Sequence, residues 1–411
     1  MQKFWNSIGI ALGGLLVVLI LYLNITLYYQ PVVDMRDGHV QYDDLLQELR
    51  GLKQSLDDGA ADDMQELYPE GYVFMNALYG LAWADVARQT DAGDALYREA
   101  FQEVERSCDY LGSETAREIF DEFLPLSYGA FYQGWYNYVV GRKLLLQAPS
   151  KRSPSEVAAF RGRCQDIAQA IQSDKTPYPP SYRFGAWPAD VIVGVASLSL
   201  HDKLFKPHYQ NVIDAWIKRV RAQLDGHGLI PHEVDPVTGA MREGARGSSQ
   251  SLMLSFLPEI DSAFAREQFE RYRALFIAHR FGLPCIREYP AGTVGFGDID
   301  SGPVILHAGA AASLAGLRTL ALYHEQQDYV GLRNSIEAFG VPMTHDGKKR
   351  YLFGQLPMAD AFIAWGHAAA SSSAKASGAW KLKFHIYSGL LVLLVAGTWM
   401  YFRKRRAKRS E

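Results

Sequence analysis

Cysteine is scarce in this chain. Three residues in 411, Cys108, Cys164 and Cys285, cannot build a disulfide scaffold. A single bond between Cys108 and Cys164 is open to the chain in an oxidising space, with buried free thiols as the alternative. No CxxC and no Cys/His metal spacing occurs, so neither a metal nor a cofactor is expected. A G-x-S-x-G elbow is missing, which leaves a serine hydrolase without its nucleophile turn. The glycines of "GFGDIDSGP" (295–303) are followed by no Lys-Ser/Thr, as a P-loop requires, and no strand precedes them, as a dinucleotide fingerprint requires. Its D-x-D lacks the other ligands of an EF-hand. Positive charge is also short. The chain carries −3 overall; setting aside Lys3, and the six basic residues and one acid from His385 onward, leaves −9 over residues 30–384. A body of that sign is a poor partner for nucleic acid.

What the sequence has in plenty is apolar length at its two ends. Ile8 to Tyr29 is free of charge and long enough to cross a hydrocarbon core of about 30 Å. It exceeds a signal-peptide core, and no A-x-A cleavage site follows. Ile386 to Phe402 is shorter, with Trp399 and Tyr401 placed as an aromatic belt. Arg403, Lys404, Arg405, Arg406, Lys408 and Arg409 follow it, and positive residues stay on the cytoplasmic side and against anionic lipid. The expected layout is a cytoplasmic N-terminus (1–7), a first span (8–29), an extracytoplasmic domain (30–380), a second span (386–402) and a basic cytoplasmic tail (403–411). The expected location is the inner membrane of a bacterium, with the main domain in the periplasm.

Between the anchors, no run alternates as strands do. Helices of two kinds take turns instead. Some are apolar on every face, such as 189–200 and 303–322, and a helix apolar all round is buried all round. Others are one-sided: 208–225 repeats Val212, Ile213, Trp216, Ile217, Val220 and Leu224 at helical spacing, and 153–174 does the same behind a capping-box pattern, Ser153 with Glu156. All-round helices are expected to start near Gly71, Tyr128, Trp187, Gly247, Ser301 and Leu356. One-sided helices are expected near Gln41, Gly93, Ser153, His208, Ser262 and Gln326. Six buried helices alternating with six half-buried ones predict an all-α fold, an (α/α)6 barrel flanked by two transmembrane helices. Links from outer to inner helices, at 174–188, 225–247, 282–302 and 341–355, are long and open at one mouth, where function is usually carried.

Those loops hold the ionisable and aromatic residues. The loop 225–247 carries His232, Glu233, Glu243 and Arg246, with Asp235 explained by a turn and Ser248 or Ser249 as helix caps. The loop 282–302 carries Arg287, Glu288, Tyr289, Asp298 and Asp300; Asp300 or Ser301 is also a candidate cap, with Pro303 in the first turn. Paired carboxylates are what glycosidic cleavage needs. The expected roles are Asp300 as general acid, Glu243 or Glu233 as base and Asp298 as orienting group. Trp187, Tyr289, Tyr182 and Trp135 would stack on substrate, and His232, Arg246, Arg287 and Glu288 would bind it.

"GWYNYVVG" (134–141), "HEVDPVTGA" (232–240) and "REYPAGTVGFGDIDSGPV" (287–304) together resemble the linalool dehydratase/isomerase-type (α/α)6 barrels over Tyr128 to Gly340. The resemblance implies the barrel, and acid–base work on a small alcohol. The family's pocket has cysteines and a histidine; the matching stretch 178–190 has no cysteine, and Trp135 stands where the histidine is expected. Similar barrels also house glycoside hydrolases and polysaccharide lyases. The leading expectation is a carbohydrate-active enzyme acting on an envelope or exported glycan. A hydro-lyase or isomerase on a terpenoid or lipid-like alcohol is the second. The third is a non-catalytic barrel within an envelope protein complex. An apolar pocket would favour the second, and rim acids locked in ion pairs the third.

Overall fold

The computed structural model describes residues 2–31, 33–36, 39–299, 301–369 and 378–410. Among them, six helices form an inner ring: Gly71–Arg88, Gly129–Leu146, Pro188–Leu204, Gly247–Leu254, Ala310–Leu322 and Pro357–Ala368. Each packs on the next, and the sixth packs on the first, so the ring closes. Six more lie outside it: Asp43–Asp57, Ala95–Leu111, Pro154–Ser173, Gln210–Arg221, Ser262–Phe276 and Gln326–Phe339. This is the toroid that the alternation of helix types predicts. Inner helices are buried on every side, as in Pro188–Leu204, where Pro188 to His201 are all buried. Outer helices bury one stripe; Gln210–Arg221 buries Ile213, Trp216, Ile217 and Val220, with the Trp216 indole donating to the Pro177 carbonyl at 2.9 Å.

The ring is filled in layers. A tier of aromatic rings crosses its middle, with Phe74, Phe131, Trp135, Phe256, Phe362 and Trp365 in edge-on or tilted contact. Beneath it an ion network plugs the far end. The Asp85 carboxylate takes Arg142 at 2.7 Å and Arg318 at 2.8 Å, and Arg142 also reaches Glu259 at 3.1 Å. The end that remains open is the mouth, where the inner helices begin.

The long mouth loops differ from plain loops by carrying short antiparallel hairpins: Glu233–Val234 with Met241–Glu243, Ile277–Arg280 with Leu283–Ile286, Val304–Ile305 with Ala308–Gly309, and Met343–His345 with Lys348–Arg350. One of them corrects the expected start of the fifth inner helix. That helix begins at Ala310 rather than Ser301, because Leu306 and His307 both take positive φ and turn the chain into a two-residue hairpin first. Gly309 holds the cap position, so Ser301 does not cap the helix. Two other caps also differ. Arg246 rather than Ser248 or Ser249 occupies the cap position of Gly247–Leu254, and the Ser153 side chain caps nothing, because Glu156 is held by Lys143 at 2.9 Å instead. The three cysteines are free and buried, and burial pushes the Cys108 and Cys164 thiols up to about 12.

Two helices, Gln2–Thr26 and Ala379–Ser410, are long and apolar enough to cross a membrane. They lie antiparallel, with Gly13 facing Val395 and the Tyr28 hydroxyl 3.0 Å from His385 Nε2. Their inner ends dock on the outer helix Gln326–Phe339, where the Asn334 amide donates to the carbonyls of Leu27 and Tyr29 at 2.9 and 3.0 Å.

Candidate active site

The first turns of the inner helices converge at the mouth around a cavity of about 290 Å³. Each ring member contributes: Phe74 from the first, Phe131 from the second, Asp190 from the third, Ser248 and Leu252 from the fourth, Ala311 and Leu314 from the fifth, Met358 and Phe362 from the sixth. The floor is apolar. The polar edge is short and specific: Glu70, Asp190, His232, Ser249 and Ser301, with Tyr68, Tyr182 and Trp187 beside them. Glu70 directly precedes the first inner helix and accepts a hydrogen bond from the Tyr182 hydroxyl. Asp190 sits in the first turn of the third, buried, its backbone amide turned back onto the Trp187 carbonyl at 3.0 Å. The Tyr182 ring meets Trp187 edge-on at 5.5 Å, which fixes both at the rim.

His232 is neutral. Burial, reinforced by the Arg246 charge, pulls its pKa down to about 3. The Ser249 hydroxyl points its hydrogen at the Arg246 carbonyl, 3.2 Å away, so its oxygen accepts from His232 Nδ1 at 3.1 Å. That tautomer leaves Nε2 as an acceptor.

The acids singled out from sequence are arranged differently. Arg246, 2 % exposed, is the hub of the neighbouring loops. It donates from Nε to Glu288 at 2.8 Å and grips Asp298 with both terminal nitrogens at 2.6 and 3.0 Å. The bidentate Arg246 contact holds Asp298 well below the usual carboxylate range. Burial pushes Glu288 and Glu243 up, against the Arg246 charge. Glu243 stands 3.6 Å from Arg246 and 4.0 Å from His232 Nε2. Glu233 is paired with Arg242 at 3.0 Å, out at the surface, and Asp235 with the same arginine at 2.8 Å, while also closing its own turn. Glu233, Glu243, Glu288 and Asp298 are absent from the cavity wall. Asp300 lies outside the described residues; its neighbours Ile299 and Ser301 both line the cavity.

Of the residues assigned to substrate binding, Tyr182, Trp187 and His232 line the cavity. Trp135 is fully buried in the aromatic tier below it. Tyr289 spends its hydroxyl on the Phe296 carbonyl at 2.7 Å, and Arg287 spends its Nε on the Tyr289 carbonyl at 3.1 Å, so both shape the loop. The cavity carboxylates Glu70 and Asp190 escaped the sequence reading. Their signal was present: each lies where an outer-to-inner connection meets an inner helix, at "YPEGY" and "AWPAD".

No family model matches the chain, and no curated protein matches it in sequence. Among solved structures it is similar to unsaturated glucuronyl hydrolase from Bacillus sp. GL1, described as responsible for the degradation of glycosaminoglycan. The identity is 12% and the TM-score 0.43, over 83% of this chain and 94% of that one. A UGL structure with dGlcA-Glc-Rha-Glc is also similar, at 12% identity and TM-score 0.40, covering 85% and 95% of the two chains.

Proposed function

We propose that the protein is an acid–base enzyme acting on a small amphiphilic molecule that carries a hydroxyl group, of the hydro-lyase or isomerase type. One observation carries this reading: a single cavity joins an apolar floor to an edge bearing two carboxyl groups and a neutral imidazole. The hydrocarbon part of a substrate would rest on Phe74, Phe131, Leu252 and Phe362. Its hydroxyl would lie at the edge, donating to His232 Nε2. One of Glu70 and Asp190, protonated, would give its proton to that hydroxyl so that the C–O bond breaks and water leaves. The other, ionised, would take a proton from the adjacent carbon, and the electron pair of that C–H bond would become the alkene. Positioned proton transfer of this kind contributes about 10²–10⁴-fold to rate.

A second reading, cleavage of an envelope or exported glycan, is favoured by a different feature. Tyr68, Tyr182 and Trp187 offer flat faces beside the two carboxylates, as a sugar ring needs. In both readings the two long apolar helices anchor the protein in a bacterial inner membrane, with both termini cytoplasmic and the barrel periplasmic. The test is turnover by the full-length protein of a panel of small aliphatic and terpenoid alcohols and of defined oligosaccharides, read by mass spectrometry as loss of water or chain shortening. Asp190→Asn and Glu70→Gln are expected to lower kcat by about 10²-fold or more with the fold intact by circular dichroism. Undiminished turnover in both variants would sink the assignment, and activity on oligosaccharides alone would select the second reading.

A further inference from the structure

Large apolar side chains left exposed on the barrel are not scattered. Among the described residues outside the anchor helices, each of them lies on a mouth loop or at the mouth end of an outer helix, except Tyr28 just after the first anchor and Leu145 at the opposite end. The densest group is a lip formed by Phe281, Val294, Phe296, Ile299, Ile305 and Leu306, with Phe296 90% exposed and Val294 74%. The lip is built, not loose. The Arg280 side chain donates to the Leu306 carbonyl at 2.6 Å and ties two hairpin tips together, and the Tyr289 hydroxyl holds the Phe296 carbonyl. Ile299 belongs both to the lip and to the cavity wall.

The anchors run past this same face. Leu27 accepts from Asn334 and packs with Ala338, one turn nearer the mouth along the same outer helix. On the second anchor, Trp380 lies against Gly331, whereas Tyr387, two turns toward the span, meets the Phe281 ring at 5.8 Å. Following either anchor toward the membrane therefore leads toward the mouth. Arg280 and Lys383 stand beside the lip, where anionic headgroups would meet them.

We infer that the barrel sits mouth-down on the bilayer, with its lip in the boundary between headgroups and acyl chains and its cavity open to the lipid phase. The substrate is then a molecule dissolved in the membrane, entering past Ile299 without crossing water. An apolar face of this kind seats about 5–10 Å into the interface. This rests on the anchoring and on the amphiphilic-substrate reading, and it names where that substrate comes from.

The experiment uses the full-length protein in vesicles of phosphatidylethanolamine and phosphatidylglycerol. All three native cysteines are buried, so a single introduced cysteine takes an environment-sensitive fluorophore selectively. Phe296→Cys and Ile305→Cys report on the lip, and Lys206→Cys on the opposite end. Spin-labelled lipid is expected to quench the labels at 296 and 305 while iodide, supplied on both sides, does not; the label at 206 is expected to behave in the reverse way. Iodide quenching at all three sites, in protein that resists carbonate extraction, would leave the anchors standing and overturn the mouth-down placement. Release of the protein by carbonate would overturn the anchoring and the inference with it.

Discussion

Arg246→Met tests whether one buried guanidinium holds the mouth together. The side chain is 2% exposed and Glu288 is fully buried, so removing the arginine leaves a carboxylate with the Ser248 hydroxyl, at 2.7 Å, as its remaining donor. Breaking a buried pair from one side costs about 3–5 kcal/mol, most of it the unpaired charge. Asp298 adds little, because its side chain is 46% exposed and rehydrates. For a domain of this size the loss is a fall in Tm of about 4–7 °C. It is also pH-dependent with a definite sign. Burial already raises Glu288, and without Arg246 only the Ser248 hydrogen bond opposes it. Its folded-state pKa then lies above the unfolded value, so stability is present at low pH and lost as pH rises through the folded pKa. The assay is thermal unfolding of the full-length protein in nanodiscs at pH 5 and pH 8, followed by circular dichroism. The variant is expected to lose most at pH 8. Adding Glu288→Gln is expected to restore more than half of the loss, with a coupling of about 2 kcal/mol or more in the double-mutant cycle. A deficit under about 1 kcal/mol, equal at both pH values and untouched by Glu288→Gln, would refute the reasoning.

Asp360 offers a pH effect of the same sign in the unmodified protein. Burial lifts its carboxyl to about 7 although it accepts from the Tyr351 amide at 3.1 Å, so stability should decline as pH rises from about 4 through 7. Asp360→Asn keeps that acceptor without the charge, and its Tm should exceed the parent's at pH 8 by the equivalent of up to about 4 kcal/mol; no gain at pH 8 would contradict this. Gly247→Ala should cost about 3 kcal/mol, because the added carbon would lie 1.8 Å from the Arg287 carbonyl oxygen, whereas Gly162→Ala, with nothing within 4 Å in an outer helix, should gain about 0.5–1 kcal/mol. Equal effects of the two alanines on urea midpoints would mean that backbone approach is not what the first of these glycines serves.

The ring order was legible in the sequence because burial dictates it. An inner helix must be apolar on every face, and "ADVIVGVASLSL" can satisfy no other environment, while the stripe from Ile213 to Val220 demands one wet side. Start positions followed where proline or glycine fixes them, at Gly71, Pro188, Gly247 and Pro357. They failed at Ser301, where proline at 303 imitates a first turn but Gly302, Leu306 and His307 adopt positive φ and fold a hairpin ahead of the helix. The mouth loops were legible as loops, but the partners of their acids were not. Asp298 and Glu288 have the composition of a catalytic rim, yet Arg246 from a distant loop claims both, a tertiary pairing that spacing does not carry, while Glu233 is taken by Arg242 across its own hairpin. Glu70 and Asp190 were passed over for the opposite reason. Each is a lone acid beside a helix start, outside the two loops where charge is dense, and local density is not what brings a carboxylate to a cavity. What brings these two there is the convergence of six helix starts on one opening, which places Glu70 and Asp190 on the cavity wall.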